Sequence, residues 1–308
     1  MSNKRFIRIN PEIYQHPFDR NALTSLEKMP GLSFLMKKVN EYGIDRILRL
    51  QTLGSQFKVT PTNFPNLYNI FSETCNILDV TPLPELYLAP GMGQISTYTI
   101  GVDKPIISIN LEAMEWLTNE ELYFVLGHEL IRVKNKYIVY QQMAQVMPTI
   151  KALISNTTLG LGGIASNGLE LALVNWIVMS KFTADRSGLL ACQNLEVAIT
   201  ALMKLGGLPA EYLTEDTIND FEEQARSFMK DNLDNISQVT KIFSFVEFRL
   251  PWVVMRMAEL FKWVDSGDYQ SLLDTGKLPE KAADVPLSKD LSEESSDDSS
   301  EWDFLSKL

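Results

Sequence analysis

The 308-residue chain is short of the side chains on which most metal and redox chemistry depends. It has two cysteines, Cys75 and Cys192, and two histidines, His16 and His128. The cysteines stand far apart, without CxxC or Cys/His spacing, so neither a disulfide framework nor a cysteine zinc site is indicated, and buried free thiols are expected. Positive charge is scarce as well: 28 Lys and Arg against 39 Asp and Glu leave a net charge of −11. Phosphate backbones are bound by clustered cations, so nucleic acid is not an expected partner, and a protein or peptide segment is.

Long apolar runs are few. The opening stretch MSNKRFIRINPEIYQHPFDR lacks the apolar core of a signal peptide, and a cytoplasmic location is expected. Residues 152–169, ALISNTTLGLGGIASNGL, carry no charge, and LALVNWIVMS follows Glu170. Their combined length approaches a membrane span. Six polar residues, Ser155, Asn156, Thr157, Thr158, Ser166 and Asn167, and glycines at 160, 162, 163 and 168 weaken that reading. A buried helical hairpin is favoured for 152–179, with membrane contact and membrane association as the alternative.

What is present is a chain with 45% hydrophobic residues, enough for one large domain or two small ones. Residues 1–78 read as a helical lead-in, with turns at Pro30-Gly31 and in PTNFPN. PELYLA, QISTYTIG and KPIISIN, between 84 and 110, carry the β-branched and aromatic residues of strands, bounded by Pro and Gly. Thr118 and Glu121 fit a capping box. A helix should start there and run through ELYFVLGHELIRVKNKYIVYQQ, apolar nearly all round and therefore buried. Residues 168–204 and 210–273 again read as helices, interrupted by LGGLPAE and near Pro251. From residue 276 the composition turns acidic, and a disordered tail over 276–308 is expected, with Trp302, Phe304 and Leu305 as a candidate docking patch.

The stretch VLGHELIRVKN, residues 125–135, carries chemistry and contradicts it. Two imidazoles at i and i+4 share a helix face and can grip one metal, while a glutamate after the first polarises its water. His128 and Glu129 satisfy the first half. Arg132 stands where the second histidine belongs, and a guanidinium offers donors only and repels a dication.

The run EELYFVLGHELIRVKNKYIVY resembles the active helix of the HtpX and CAAX-prenyl-protease type of gluzincin metallopeptidase, family forty-eight. HPFDRNAL (16–23) and STYTIGVDKPIISIN (96–110) resemble the opening segment and sheet of its soluble members. SKFTADRSGLLA (180–191) resembles its second metal helix, and LPWVVMRMAELFKWVDSGDYQ (250–270) its closing helix. The resemblance spans roughly residues 12–273. It implies an α+β, mostly helical, zincin-like fold with a small sheet against the active-site helix. The implied domain spans 79–275, after the 1–78 lead-in and before the tail.

The resemblance also implies a site: metal ligands at 128, 132 and 181, a general base at 129, and supporting residues at 185 and 256. His128, Glu129, Asp185 and Arg256 match. Arg132 and Lys181 do not, and Leu250-Pro251 stands where the family often has His-Pro. Catalytic zinc needs three protein ligands and a water, and one matching ligand remains, so zinc, the family cofactor, should be weakly held or absent. The two cations are expected to take the metal's place by neutralising Glu129 and Asp185. In gluzincins substrate lies along an edge strand, and Ile107 and Ile109 are the candidate edge positions here. The leading expectation is a catalytically silent homologue that binds a protein segment in its former cleft. The alternatives are an active or site-altered zinc endopeptidase, and an adaptor working through the acidic tail.

Overall fold

The computed structural model describes residues 3–155, 163–230 and 252–278, with the side chains of 148–155 and 163–167 left aside. Leu250, Pro251 and the acidic tail from 279 onward, including its docking patch, lie outside the described residues.

The lead-in contains α1 (Pro17–Glu27), α2 (Leu32–Glu41), α3 (Ile44–Ser55) and α4 (Pro65–Ile77). A short strand, β1 (Phe57–Lys58), interrupts them. Two residues are too few to show period-2 alternation, which is why this strand is invisible in the sequence. β2 (Glu85–Ala89), β3 (Thr97–Ile100) and β4 (Ile106–Asn110) follow as expected. The sheet order is β1-β2-β4-β3, with β2 parallel to β4 and the other pairs antiparallel.

This order corrects one expectation. Ile107 and Ile109 sit on β4, paired on both sides, and are fully buried. The outer strand on this side is β3.

Beyond the sheet come α5 (Leu111–Trp116) and α6 (Asn119–Lys134). Thr118 caps α6: its hydroxyl accepts from the Glu121 N–H at 3.1 Å, and the Glu121 carboxylate accepts from the Thr118 N–H at 2.7 Å. The helix does not run on to Gln142 as the apolar pattern suggests. Lys136 adopts a left-handed backbone with φ 58. Its N–H donates to the Val133 carbonyl at 3.2 Å, and the Tyr137 N–H to the Arg132 carbonyl at 3.0 Å. That is a Schellman ending with lysine in the place glycine usually holds, so its ordinary sequence signal is missing. The chain restarts as α7 (Ile138–Ser155).

Next come α8 (Gly163–Cys192), α9 (Leu195–Leu205), α10 (Glu215–Lys230), α11 (Val253–Asp265) and α12 (Asp268–Thr275). The expected single helix over 168–204 is thus two. Gln193 has φ 53, and Asn194 caps α9 by accepting from the N–H groups of Glu196 and Val197. Among the described residues, no helix is long and apolar enough to cross a membrane.

Among the described residues, two large cores and a small third cluster of Tyr87, Ile100 and Ile106 hold these elements. The larger joins Tyr14, Phe71, Ile107, Phe124, Leu190 and Phe261, so lead-in and later segments share it. The second gathers Phe18, Leu26, Leu35, Met143, Trp176 and Phe182 between α1, α2, α7 and α8. Both cysteines are buried free thiols.

α6 and α8 approach closely at paired glycines. A Cβ on Gly127 would fall 2.5 Å from the Ala191 Cβ, and one on Gly188 would fall 2.7 Å from the Phe124 carbonyl oxygen. The Ser187 hydroxyl donates to the Gly127 carbonyl across the same contact at 2.8 Å. Gly127→Ala should therefore force the helices apart and destabilise by about 1–3 kcal/mol despite alanine's better helix propensity. A chemical denaturation midpoint equal to or above wild type would count against this account.

Candidate functional site

Four elements bring the site together. α6 supplies His128, Glu129 and Arg132; α8 supplies Lys181 and Asp185, one turn apart; α11 supplies Arg256; and β3 supplies Thr97 and Thr99. His128, Glu129, Arg132, Asp185 and Arg256 are all buried.

His128 Nδ1 lies 3.0 Å from Asp185 Oδ1. Facing a carboxylate, that nitrogen carries the proton and donates, which leaves the lone pair on Nε2. Burial lowers the His128 pKa below its usual value even though Asp185 favours the charged form, so the ring is neutral at physiological pH. Asp185 is clamped from its other side: Arg256 Nε donates to Oδ2 at 2.8 Å and Nη2 to Oδ1 at 2.6 Å. Burial pushes the Asp185 carboxyl up, but the Arg256 charge and the bonds from Arg256 and His128 override it, leaving a pKa of about 2.

Glu129 accepts from Thr97 Oγ1 and Thr99 Oγ1, each at 2.7 Å, one on each carboxylate oxygen. Arg132 Nη1 stands 2.9 Å from Glu129 Oε2. This is an ion pair rather than an aligned hydrogen bond, because the same buried nitrogen has no hydrogen-bond partner. Against the effect of burial, Arg132 and His128 with the two threonines hold the Glu129 pKa below its usual value.

Half of the expected charge replacement is found. Arg132 neutralises Glu129, but Asp185 is neutralised by Arg256, with a hydrogen bond from His128, rather than by Lys181. Lys181 is half-buried, with no hydrogen bond or ion pair among the described residues. Burial, followed by the repulsion of Arg256 and Arg132, lowers its pKa to about 8.

His16 is structural, as its segment suggests. It caps α1, Nδ1 accepting from the Phe18 N–H at 3.1 Å, and its Nε2 meets Glu259 Oε2 at 3.0 Å. Burial takes its pKa down to about 4, against the pull of Glu259. The sequence reading missed Thr97 and Thr99, although their alternation in STYTIG was the available signal. It also missed buried Asp19, which accepts from Thr183 Oγ1 (2.6 Å), Trp176 Nε1 (3.1 Å) and Gln15 Nε2 (3.3 Å); no spacing rule links those positions.

Residues 61–264, two thirds of the chain, match Peptidase family M48. The chain belongs to that family. Among its M48 relatives is the plastoglobule-localized metallopeptidase 48, chloroplastic, of Arabidopsis thaliana, 28% identical over 269 residues that cover 87% of this chain and 77% of the relative. A protease HtpX homolog of Moorella thermoacetica is 25% identical over 206 residues, 59% of this chain and 68% of the relative. Protease HtpX homolog 2 of Methanosarcina acetivorans is 27% identical over 190 residues, covering 54% and 63%. No solved structure matches the chain significantly.

The M48 family uses zinc, and these residues do not fit it. A guanidinium and an ammonium stand at two of the three expected ligand positions and offer no lone pair at neutral pH. Arg132 also lies against Glu129, which stands at the expected general-base position. Among the described residues, no three His, Cys, Asp or Glu side chains are grouped to hold a metal. The support for one ligand survives nonetheless: Asp185 still orients His128 as it would orient an imidazole bound to a metal.

Proposed function

We propose that this M48 protein does not hydrolyse peptide bonds with zinc, and that its former cleft binds a protein or peptide segment without cutting it. The observation that carries this reading is the Arg132 guanidinium, at an expected metal-ligand position and 2.9 Å from Glu129. A glutamate ion-paired in this way and bonded to two threonines has little freedom to take a proton from water. Main-chain pairing along β3, the outer strand beside Glu129, needs no metal, so peptide binding can persist where hydrolysis does not.

The test is metal content together with an unfolded substrate. Elemental analysis after purification at neutral pH should find zinc well below one per chain, and immobilised protein should retain casein intact. About one tightly held zinc per chain, or casein fragments that a chelator abolishes, would overturn the reading.

A further inference from the structure

The helix α3 is apolar on two faces: Ile44 and Leu48 pack inward against core clusters, and a second set of apolar side chains points outward. Of its twelve residues only Thr52 is buried, while Ile47 is 54% exposed, Leu50 57% and Leu53 44%. Polar anchors hold the inner face beside Ile44 and Leu48. Asp45 accepts from the Val102 N–H at 3.0 Å and from Gln142 Nε2 at 2.6 Å. Arg49 donates to the Lys104 carbonyl at 3.0 Å and to Glu85 at 2.7 Å. Phe57, 70% exposed, follows two residues after the helix ends, and Val102, whose N–H meets Asp45, is 48% exposed. An ordinary surface helix turns its apolar stripe inward, and a contiguous outward patch marks an interaction surface.

Charge says what kind of surface. Between residues 20 and 58 there are seven Lys and Arg against three Asp and Glu, and an excess of three cations remains when Glu85, the partner of Arg49 and Lys58, is included, in a chain whose net charge is −11. Arg46 is exposed on α3 beside Ile47, and Lys37, 3.8 Å from Glu41, is exposed on the preceding helix α2. An apolar face with a basic surround is the chemistry that inserts at an anionic lipid interface. The identical patch of a second copy would bring like charge onto like charge, which disfavours a symmetric dimer through this face.

We infer that the α3 face, centred on Ile47, Leu50, Leu53 and Phe57, docks the protein on the surface of an anionic lipid layer without crossing it. The inserted side chains supply apolar burial, and Arg46 meets the headgroups. This inference does not depend on whether the M48 site is silent.

Flotation with vesicles tests it. The full chain should rise with vesicles of phosphatidylcholine and phosphatidylglycerol, and much less with phosphatidylcholine alone or in high salt. Ile47→Glu combined with Leu50→Glu should abolish flotation, and Arg46→Glu should weaken it several-fold. Both positions of the double variant are exposed, so its circular dichroism and melting temperature should match wild type. Flotation unaffected by the double variant would overturn the proposal, as would wild-type protein that stays with the soluble fraction on both vesicle types. A wild-type dimer that the double variant converts to monomer would overturn it in favour of self-association through this face.

Discussion

Arg132→His made together with Lys181→Glu is expected to turn the chain into one that holds zinc. The pair would complete a set of two imidazoles and one carboxylate at positions 128, 132 and 181, with His128 already in the correct tautomer through its 3.0 Å bond to Asp185. It would also remove the two cations that repel a dication. With zinc at about 100 to 1,000 times its dissociation constant, mass action contributes roughly 3–4 kcal/mol, or about 6–15 °C in melting temperature for a chain of this size. Arg132→His alone should destabilise, because it leaves buried Glu129 with only the two threonine hydroxyls. The measurement is the melting temperature of the double variant with zinc and with a chelator. Identical values would mean that positions 128, 132 and 181 do not converge, and the assignment of the site would fail.

Arg256→Met is expected to produce the largest loss of stability of any change near the site. It removes both bonds that Arg256 makes to Asp185 and leaves a carboxylate in the interior with His128 as its remaining partner. Breaking one side of a buried ion pair costs about 3–5 kcal/mol. The pH dependence has a definite sign. Asp185 has a folded pKa of about 2, below its ordinary value of 3.8. Its contribution is complete above the unfolded pKa and fades as pH falls through the folded one, so wild type should lose this increment between roughly pH 4 and 2. Lys181 runs the other way. Its folded pKa, about 8 against an ordinary 10.5, means that the unfolded chain binds more protons between those values, so stability should rise across that window. Lys181→Met should then stabilise at neutral pH by on the order of 1–3 kcal/mol. Urea titrations of the two variants at pH 7 check both signs. A Lys181→Met variant as unstable as Arg256→Met would show that Lys181, after all, compensates a buried carboxylate.

The sequence by itself determined the features that depend on near neighbours along the chain. The α6 cap follows from Thr118 and Glu121 three residues apart, and the common face of His128 and Arg132 from the i, i+4 period of a helix. The three longer strands follow from short β-branched runs between Pro and Gly. The mismatch with zinc was legible for the same reason, since a guanidinium cannot become a ligand in any fold. Where local signals were weak, boundaries slipped: Lys136 ends α6 in a conformation usually marked by glycine, and Gln193 separates α8 from α9.

What only the tertiary structure decided is which charge meets which. Lys181 and Arg256 both offer a cation near Asp185, and the choice falls to Arg256 because α11 directs it there, while Lys181 has no such partner among the described residues. Likewise, the pairing of β4 between β2 and β3 moved the outer edge to the strand of Thr97 and Thr99, whose hydroxyls reach Glu129. Ion-pair energies change steeply over a few ångströms in a low-dielectric interior. Those distances are set by how α6, α8 and α11 pack on one another, with close approach permitted by Gly127 and Gly188, and residues that are far apart in sequence carry no local record of that contact.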